Sequence, residues 1–184
     1  MAETGRRERH KQDTRRALEE AALRRFAEQG YDETSVEAVA ADAGVSTRTF
    51  FRYFSTKDEV LEMGRGERQA ELRAALRELT TSDLTDLAVV EAAMSRLAEG
   101  FTADRERVVL RQRAAETSPV LRGRLFDTFA SWERVVAHEL GDDARGRTLA
   151  AVGFAVFRAA TVTWVEDGGS LPGLVEEGFA ALSG

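Results

Sequence analysis

Six of the seven side chains from position 47 to 53, Thr47, Arg48, Thr49, Phe51, Arg52 and Tyr53, hold most of the directed chemistry in this sequence. Hydroxyls and guanidinium groups reach base edges and phosphate oxygens, and an Arg fork matches the two acceptors on the major-groove edge of guanine. Ser46 stands just before the cluster, Lys57 just after it, and Thr34 with Ser35 lie upstream. Thr34 and Ser46 are placed to start helices, whose first amides face outward and donate to phosphates. Thr34, Ser35, Ser46, Thr47, Arg48, Thr49, Arg52, Tyr53 and Lys57 are therefore the candidate DNA-contacting residues.

Other chemistry finds little support. The sequence has no cysteine, which removes disulfides, thiolate metal sites, iron–sulfur clusters and cysteine nucleophiles. Its two histidines, His10 and His138, stand alone and fit no metal-ligand spacing. There is no G-x-S-x-G and no P-loop, and the Gly64-x-Gly66 pair follows no strand, so it is not a nucleotide loop. We expect no enzyme, no cofactor and no metal. The net charge of -6 looks adverse to nucleic acid, but its distribution matters more. Residues 1–57 carry a net +1 and the remainder -7, so a near-neutral head meets phosphates and an acidic body does something else. An N-terminal run of Arg6, Arg7, Arg9, Lys11, Arg15 and Arg16 is either a phosphate-binding arm or a solvated end. No run approaches the roughly 18 apolar residues of a membrane span. The polar start lacks the apolar stretch of a signal peptide. The expectation is a cytoplasmic protein with no membrane partner.

The elements that must position the cluster are helices. Leu18, Ala22 and Phe26 share one face of a first helix that Gly30 ends. Thr34-Ser35-Val36-Glu37 reads as a capping box, Thr34 being the cap, and opens a short helix with Val36, Val39, Ala40 and Ala43 inward. Gly44 turns the chain, and Ser46 caps a second short helix that buries Phe50 and Phe54. Two short helices about a glycine turn describe a helix-turn-helix. Thr56 and Glu59 form a second box, opening a long helix from about Lys57 to Leu79. Further helices carry Leu84 to Phe101, Val108 to Ala115, Leu121 to Leu140, Ala144 to Val165, and Ser170 to Leu182. No alternating strand pattern appears, so the chain is all-α. The same apolar pattern also fits two short helices of an ordinary bundle, with Phe50, Phe51, Tyr53 and Phe54 all in its core. That alternative is a helical ligand-binding or scaffold protein without DNA binding.

Particular strings point further: Phe26-Ala27-Glu28-Gln29-Gly30-Tyr31, Thr34-Ser35, Val39-Ala40, Ala43-Gly44-Val45-Ser46, Phe50-Phe51-Arg52-Tyr53-Phe54 and Lys57-Asp58-Glu59-Val60-Leu61. Over about residues 10–62 this pattern resembles the DNA-binding region of the TetR family of repressors. The resemblance implies a three-helix DNA-binding head with a helix-turn-helix, residues 1–55, and an α-helical ligand-binding and dimerisation domain, residues 56–184. It implies a homodimer on a double-stranded palindromic operator, released when an effector changes the spacing of the heads. The two heads of such a dimer lie about one helical turn, roughly 34–36 Å, apart. One departure is visible. The family usually has Tyr where this chain has Phe51, which cannot donate to a phosphate, and Tyr53 stands where His or Tyr is usual. Thr47, Arg48, Tyr53 and Lys57 are accordingly the favoured polar contacts.

In the body, the stretch from Ala150 to Ala160 is apolar nearly all round and must be buried on every side. With Leu171, Leu174, Val175, Phe179 and Leu182 it is expected to pair across a dimer through the last two helices; one packed monomer core is the alternative. Met94, Leu97, Phe101, Leu110, Arg113, Phe126, Phe129, Trp132 and Trp164 are the candidate lining of an effector pocket, suited to a hydrophobic or aromatic small molecule. Arg111 and Arg113 hold an anionic group if they point inward. The recognition helix also resembles those of some family members that respond to acyl-CoA-type ligands, which names no effector.

Overall fold

Ser35, Ser46, Thr85 and Asp143 each accept a hydrogen bond from the backbone amide three residues on, and each starts a helix. This is the ordinary means of satisfying amides that have no partner in the first turn. The structure, a computed structural model, describes residues 2–62 and 64–183, with side chains described except at 2–5, 7, 8 and 183. The side chain of Arg7, counted in the N-terminal basic run, lies outside the described residues. The helices are α1 (Ala2–Gln29), α2 (Val36–Asp42), α3 (Thr47–Tyr53), α4 (Arg65–Leu79), α5 (Asp86–Thr102), α6 (Arg105–Thr117), α7 (Pro119–Glu139), α8 (Ala144–Asp167) and α9 (Leu171–Ser183). A 3-10 helix, Lys57–Glu62, lies between α3 and α4. All regular structure among the described residues is helical.

Four expectations from the sequence need correction. The cap of α2 is Ser35, not Thr34; the Thr34 hydroxyl is buried and donates instead to the Gly30 carbonyl at 2.8 Å. The predicted long helix from Lys57 to Leu79 is interrupted. Gly64 stands in the left-handed region at φ 75°, and α4 starts only after it. Glu59 does not pair with Thr56 in a box; its carboxylate accepts from the Ser55 amide at 2.6 Å. Leu84, expected within a helix, lies exposed ahead of the Thr85 cap.

By Cα proximity the chain divides into two compact units. One comprises residues 1–63 and 106–125, so α6 and the start of α7 return to the N-terminal region. Its core joins Leu18, Ala22, Leu23 and Phe26 of α1 to Val39 and Ala40 of α2, Phe50 of α3, Phe54, Val60, Leu61, Ala114 and Leu121. Aromatic rings in it pack at an angle, Phe26 against Tyr31 at 5.4 Å and Phe50 against Phe54 at 5.5 Å between centroids.

The second unit comprises residues 64–105 and 126–184, in which α5 and α8 pack against α9 and α4 packs on α5. Val90, Met94, Phe154, Phe157, Trp164, Leu171 and Val175 are fully or almost fully buried in it. Contrary to the sequence expectation, α8 is long and apolar enough to cross a membrane by length and composition. Its Phe154, Phe157 and Trp164 face nonetheless lies inside the unit. Its burial is one-sided rather than complete: Ala151, Ala155, Ala159 and Val162 are exposed. Where α5 and α8 meet, Gly153 leaves no room for a side chain, because a Cβ there would collide with Val90 Cγ1. Overpacking of this kind costs about 1–3 kcal/mol, occasionally more. Gly153→Val is expected to lower the thermal midpoint by several degrees, read by circular dichroism; an unchanged midpoint would show that α5 and α8 separate freely.

Candidate nucleic-acid interface

The recognition surface starts from the turn that sets α3. Gly44 at φ 68° reverses the chain after α2, a conformation other residues rarely adopt. The Val45 amide donates to the Ala40 carbonyl at 2.9 Å and closes the turn. Ser46 Oγ accepts from the Thr49 amide at 3.2 Å and lies 3.0 Å from Thr49 Oγ1, so Ser46 and Thr49 chiefly serve each other. Phe50 is fully buried and Phe54 nearly so, which fixes the rotation of α3 about its axis. That rotation turns Arg48, Phe51 and Arg52 outward, with Thr47 and Tyr53 half-exposed. The Arg52 guanidinium lies 5.0 Å over the Tyr53 ring, which holds the two side chains together at the end of the helix. Phe51 is 54% exposed, an apolar ring facing solvent on the same helix.

α2 is held by an ion pair absent from the sequence reading. Arg25 Nε lies 2.5 Å from Asp42 Oδ2 and its Nη2 2.9 Å from Oδ1, a two-pronged clamp between α1 and the end of α2. The hydrogen bond from Arg25 holds the Asp42 carboxyl below the usual carboxylate range. Ahead of it, α1 runs as a helix through the basic N-terminal segment, with Arg6, Arg9, Lys11, Arg15 and Arg16 exposed. Arg15 lies 5.6 Å over the Phe54 ring, next to the end of α3.

Of the nine predicted contact residues, Ser35, Ser46, Thr47, Arg48, Thr49, Arg52 and Tyr53 reach the exposed or half-exposed side. Thr34 does not, since its hydroxyl is buried against Gly30. Lys57 is half-buried and turned inward. Its Nζ donates to the Tyr31 carbonyl at 2.6 Å and to the Thr34 carbonyl at 3.0 Å, and sits 4.1 Å from the Tyr31 ring centroid. An ammonium so occupied braces the loop before α2 instead of reaching outward. Tyr31 itself donates to Asp58 Oδ1 at 3.3 Å. Burial pushes the Asp58 carboxyl up, but hydrogen bonds from Thr56 and Arg124 outweigh it and hold the carboxyl below its ordinary value. Burial, with the charge and hydrogen bond of Asp58, pushes the Tyr31 phenol up to about 12.

A group whose pKa is raised on folding contributes stability that is present below its unfolded value and lost as pH rises through the folded one. For Tyr31 that window runs from 10.0 to about 12. Thermal stability is expected to fall across this range in the wild type and less steeply in Tyr31→Phe. Equal slopes in the two proteins would remove Tyr31 as the cause.

The predicted effector lining is divided between the two units. Met94, Leu97, Phe101, Phe129, Trp132 and Trp164 are buried in the second unit, but the aromatics pack on one another. Phe101 meets Phe157 at 5.1 Å and Phe129 meets Trp132 at 5.8 Å, both edge to face. Leu110 packs against the core of the first unit, Arg113 is exposed in that unit, and Phe126 is 53% exposed. Leu110 and Arg113 lie apart from the buried aromatics of the second unit because α6 packs with the N-terminal region, whereas Phe126 belongs to the second unit and is turned to its surface. Arg111, considered for an anionic group, pairs with buried Glu19 of α1. A cleft of about 230 Å³ opens between α4 and α5, lined by Leu72, Ala75, Ala93 and Leu97 with Arg68 and Arg96 at its edge. Of the predicted residues only Leu97 lines it.

Residues 18–63 match the family described as bacterial regulatory proteins, tetR family. The chain is 34% identical over 185 residues to the HTH-type transcriptional regulator TcmR of Streptomyces glaucescens, covering 87% of this chain and 76% of that protein. Its fold is similar to that of FadR from Thermus thermophilus, a repressor solved with lauroyl-CoA, with TM-score 0.59 and 22% identity over 92% of this chain and 93% of the other. It is also similar to FadR from Bacillus subtilis, solved with stearoyl-CoA, with TM-score 0.65 and 18% identity over 90% and 96% of the two chains.

Proposed function

The chain belongs to the TetR family of bacterial regulatory proteins, and from that premise we propose that it acts as a dimeric repressor released from a palindromic operator by a hydrophobic or aromatic small molecule. DNA binding is assigned to residues 1–55 and effector binding with dimerisation to residues 56–184, residues 106–125 packing with the DNA-binding part. The observation that carries the reading is the outward face of α3. Arg48 is exposed and makes no side-chain hydrogen bond or ion pair among the described residues, while Thr47, Arg52 and Tyr53 flank it. A free guanidinium on a short, rigidly packed helix behind a glycine turn is what major-groove reading requires. The contact set is Ser35, Ser46, Thr47, Arg48, Thr49, Arg52 and Tyr53. The net negative charge is no obstacle, because the excess acid lies beyond residue 57. Such a regulator works in the cytoplasm.

The dimer is assigned to the outward face of α8, where Ala151, Ala155, Ala159 and Val162 stand exposed, joined by Leu182 of α9 at 57% exposure. An apolar helix face of this kind is stable when another surface covers it. The small residues along it permit close helix approach. Light scattering of the full chain at micromolar concentration is expected to give the mass of a dimer, and Ala155→Glu that of a monomer with unchanged helix content. A monomeric wild type overturns the interface.

The effector is assigned to the second unit, whose interior is rich in aromatic side chains, and its class to hydrophobic or aromatic molecules. The experiment that tests the function is a mobility shift with the DNA upstream of the chain's own coding sequence, with lauroyl-CoA as the first probe for release. A specific complex is expected, with affinity falling linearly in log–log against salt as phosphates are neutralised. No specific complex with that DNA or with its palindromic parts counts against the reading.

A further inference from the structure

Behind the helix-turn-helix runs a line of polar contacts that belongs to none of its contact residues. Arg124, near the start of α7, donates from Nε to Asp58 Oδ2 at 2.6 Å and from Nη1 to Glu62 Oε1 at 3.0 Å. Asp58 and Glu62 lie on the 3-10 helix that follows α3. The other oxygen of Asp58 accepts from the Tyr31 hydroxyl at 3.3 Å. Lys57, beside Asp58, ties the carbonyls of Tyr31 and Thr34, the loop that leads into the Ser35 cap of α2. The two ends of the helix-turn-helix are thus joined through one carboxylate, which is held locally by the Thr56 side chain and from α7 by one guanidinium. The far side of the same segment is fixed too. Arg107 and Arg111 of α6 both reach Glu19 of α1, which is fully buried.

We propose that Arg124 is a positioning residue for DNA recognition: by holding Asp58 and Glu62 it sets the 3-10 helix and the Tyr31–Ser35 loop, and with them the attitude at which α3 presents Arg48 and Tyr53. The physical reason lies in Asp58. A buried carboxylate needs partners, and removing one leaves a charge that draws in water or shifts its backbone. The backbone here is a 3-10 helix, whose hydrogen bonds are poorer than those of an α-helix and which depends on such ties. Movement at Lys57–Glu62 passes to α3 through Phe54, Ser55 and Thr56, and to α2 through Tyr31 and Lys57. Arg124 touches no DNA in this account. Phe54 and Val60 remain in the apolar core without it, so the head stays folded while α3 loses its fixed setting.

This inference rests on the DNA-binding reading above. The test uses the full chain as wild type, Arg124→Ala, Arg124→Lys, Asp58→Asn and the Arg124→Ala/Asp58→Asn double variant, with fluorescence anisotropy on the operator duplex and amide hydrogen exchange. Arg124→Ala is expected to weaken operator binding about tenfold, within the range for coupling between distant sites. Exchange is expected to rise at residues 31–36 and 57–62 while amides of Leu18 to Phe26 stay protected. Arg124→Lys recovers part of the affinity, having the charge but not the fork. The double variant binds about as Asp58→Asn does, because both changes cut one line of contacts. Operator binding of Arg124→Ala as tight as wild type overturns the proposal. So does a loss of protection spread evenly through α1, which would make Arg124 a support of the whole fold. A wild type that binds no duplex removes the DNA-binding reading and this inference together, whereas binding by wild type and Arg124→Ala alike removes this inference alone.

Discussion

Arg48→Ala is expected to lower affinity for the operator by about tenfold to a hundredfold while leaving binding to unrelated duplex nearly unchanged. The side chain is exposed on α3, between the Ser46 cap and the buried Phe50. A bidentate Arg–guanine contact is worth about 1–3 kcal/mol of discrimination against the wrong base, and each 1.4 kcal/mol is tenfold. Phosphate contacts, by contrast, weaken all duplexes alike when lost. The comparison of operator with scrambled duplex therefore separates base reading from backbone holding. Tyr53→Phe is the companion. It keeps the ring that packs on the core and stacks with Arg52, and removes only the hydroxyl. If that hydroxyl meets a phosphate in place of the one Phe51 lacks, Tyr53→Phe weakens both duplexes in parallel. Anisotropy titrations at fixed salt read both effects. Unchanged specific binding in Arg48→Ala and Tyr53→Ala would move the recognition surface off α3.

Phe50→Ala is expected to abolish operator binding by a different route, through loss of the fold. Phe50 is fully buried, meets Phe54 at 5.5 Å and Phe51 edge to face at 5.5 Å, and joins α3 to the core of α1 and α2. Truncating a buried Phe costs about 3–5 kcal/mol, a large share of the 5–15 kcal/mol by which a domain is stable. The small residues of that core, Ala21, Ala22 and Ala40, cannot expand into the gap. A thermal melt followed by circular dichroism should show a lower or an additional early transition for Phe50→Ala, and the wild-type curve for Arg48→Ala. A wild-type melt for Phe50→Ala would mean that α3 is not anchored through this ring.

The regions legible in the sequence are those whose determinants lie within a few residues. Leu18, Ala22 and Phe26 at helical spacing marked the buried face of α1, and Val39, Ala40, Phe50 and Phe54 marked the inner faces of the helix-turn-helix. Ser46 was readable as a cap and Gly44 as the turn, because each acts on its immediate neighbours. Burying Phe50 and Phe54 left Arg48, Arg52 and Tyr53 facing out by simple rotation about α3. The outer surface of the candidate site therefore followed from periodicity and local chemistry.

The misplacements share one cause: competition between partners that spacing does not rank. Thr34 and Ser35 are both able to cap, and tertiary burial of Thr34 against Gly30 left the role to Ser35. Lys57 looked free for a phosphate until the fold brought two carbonyls within reach of its ammonium. Leu110 and Arg113, expected to line a pocket with the aromatics of the body, lie instead in the unit built on α1. The Asp58–Arg124 pair spans 66 positions and has no local signature at all. Helix faces, caps and turns need only near neighbours and so are written in composition and spacing. Which buried charge meets which guanidinium, and which loop a lysine braces, depends on segments that meet only when the chain has folded.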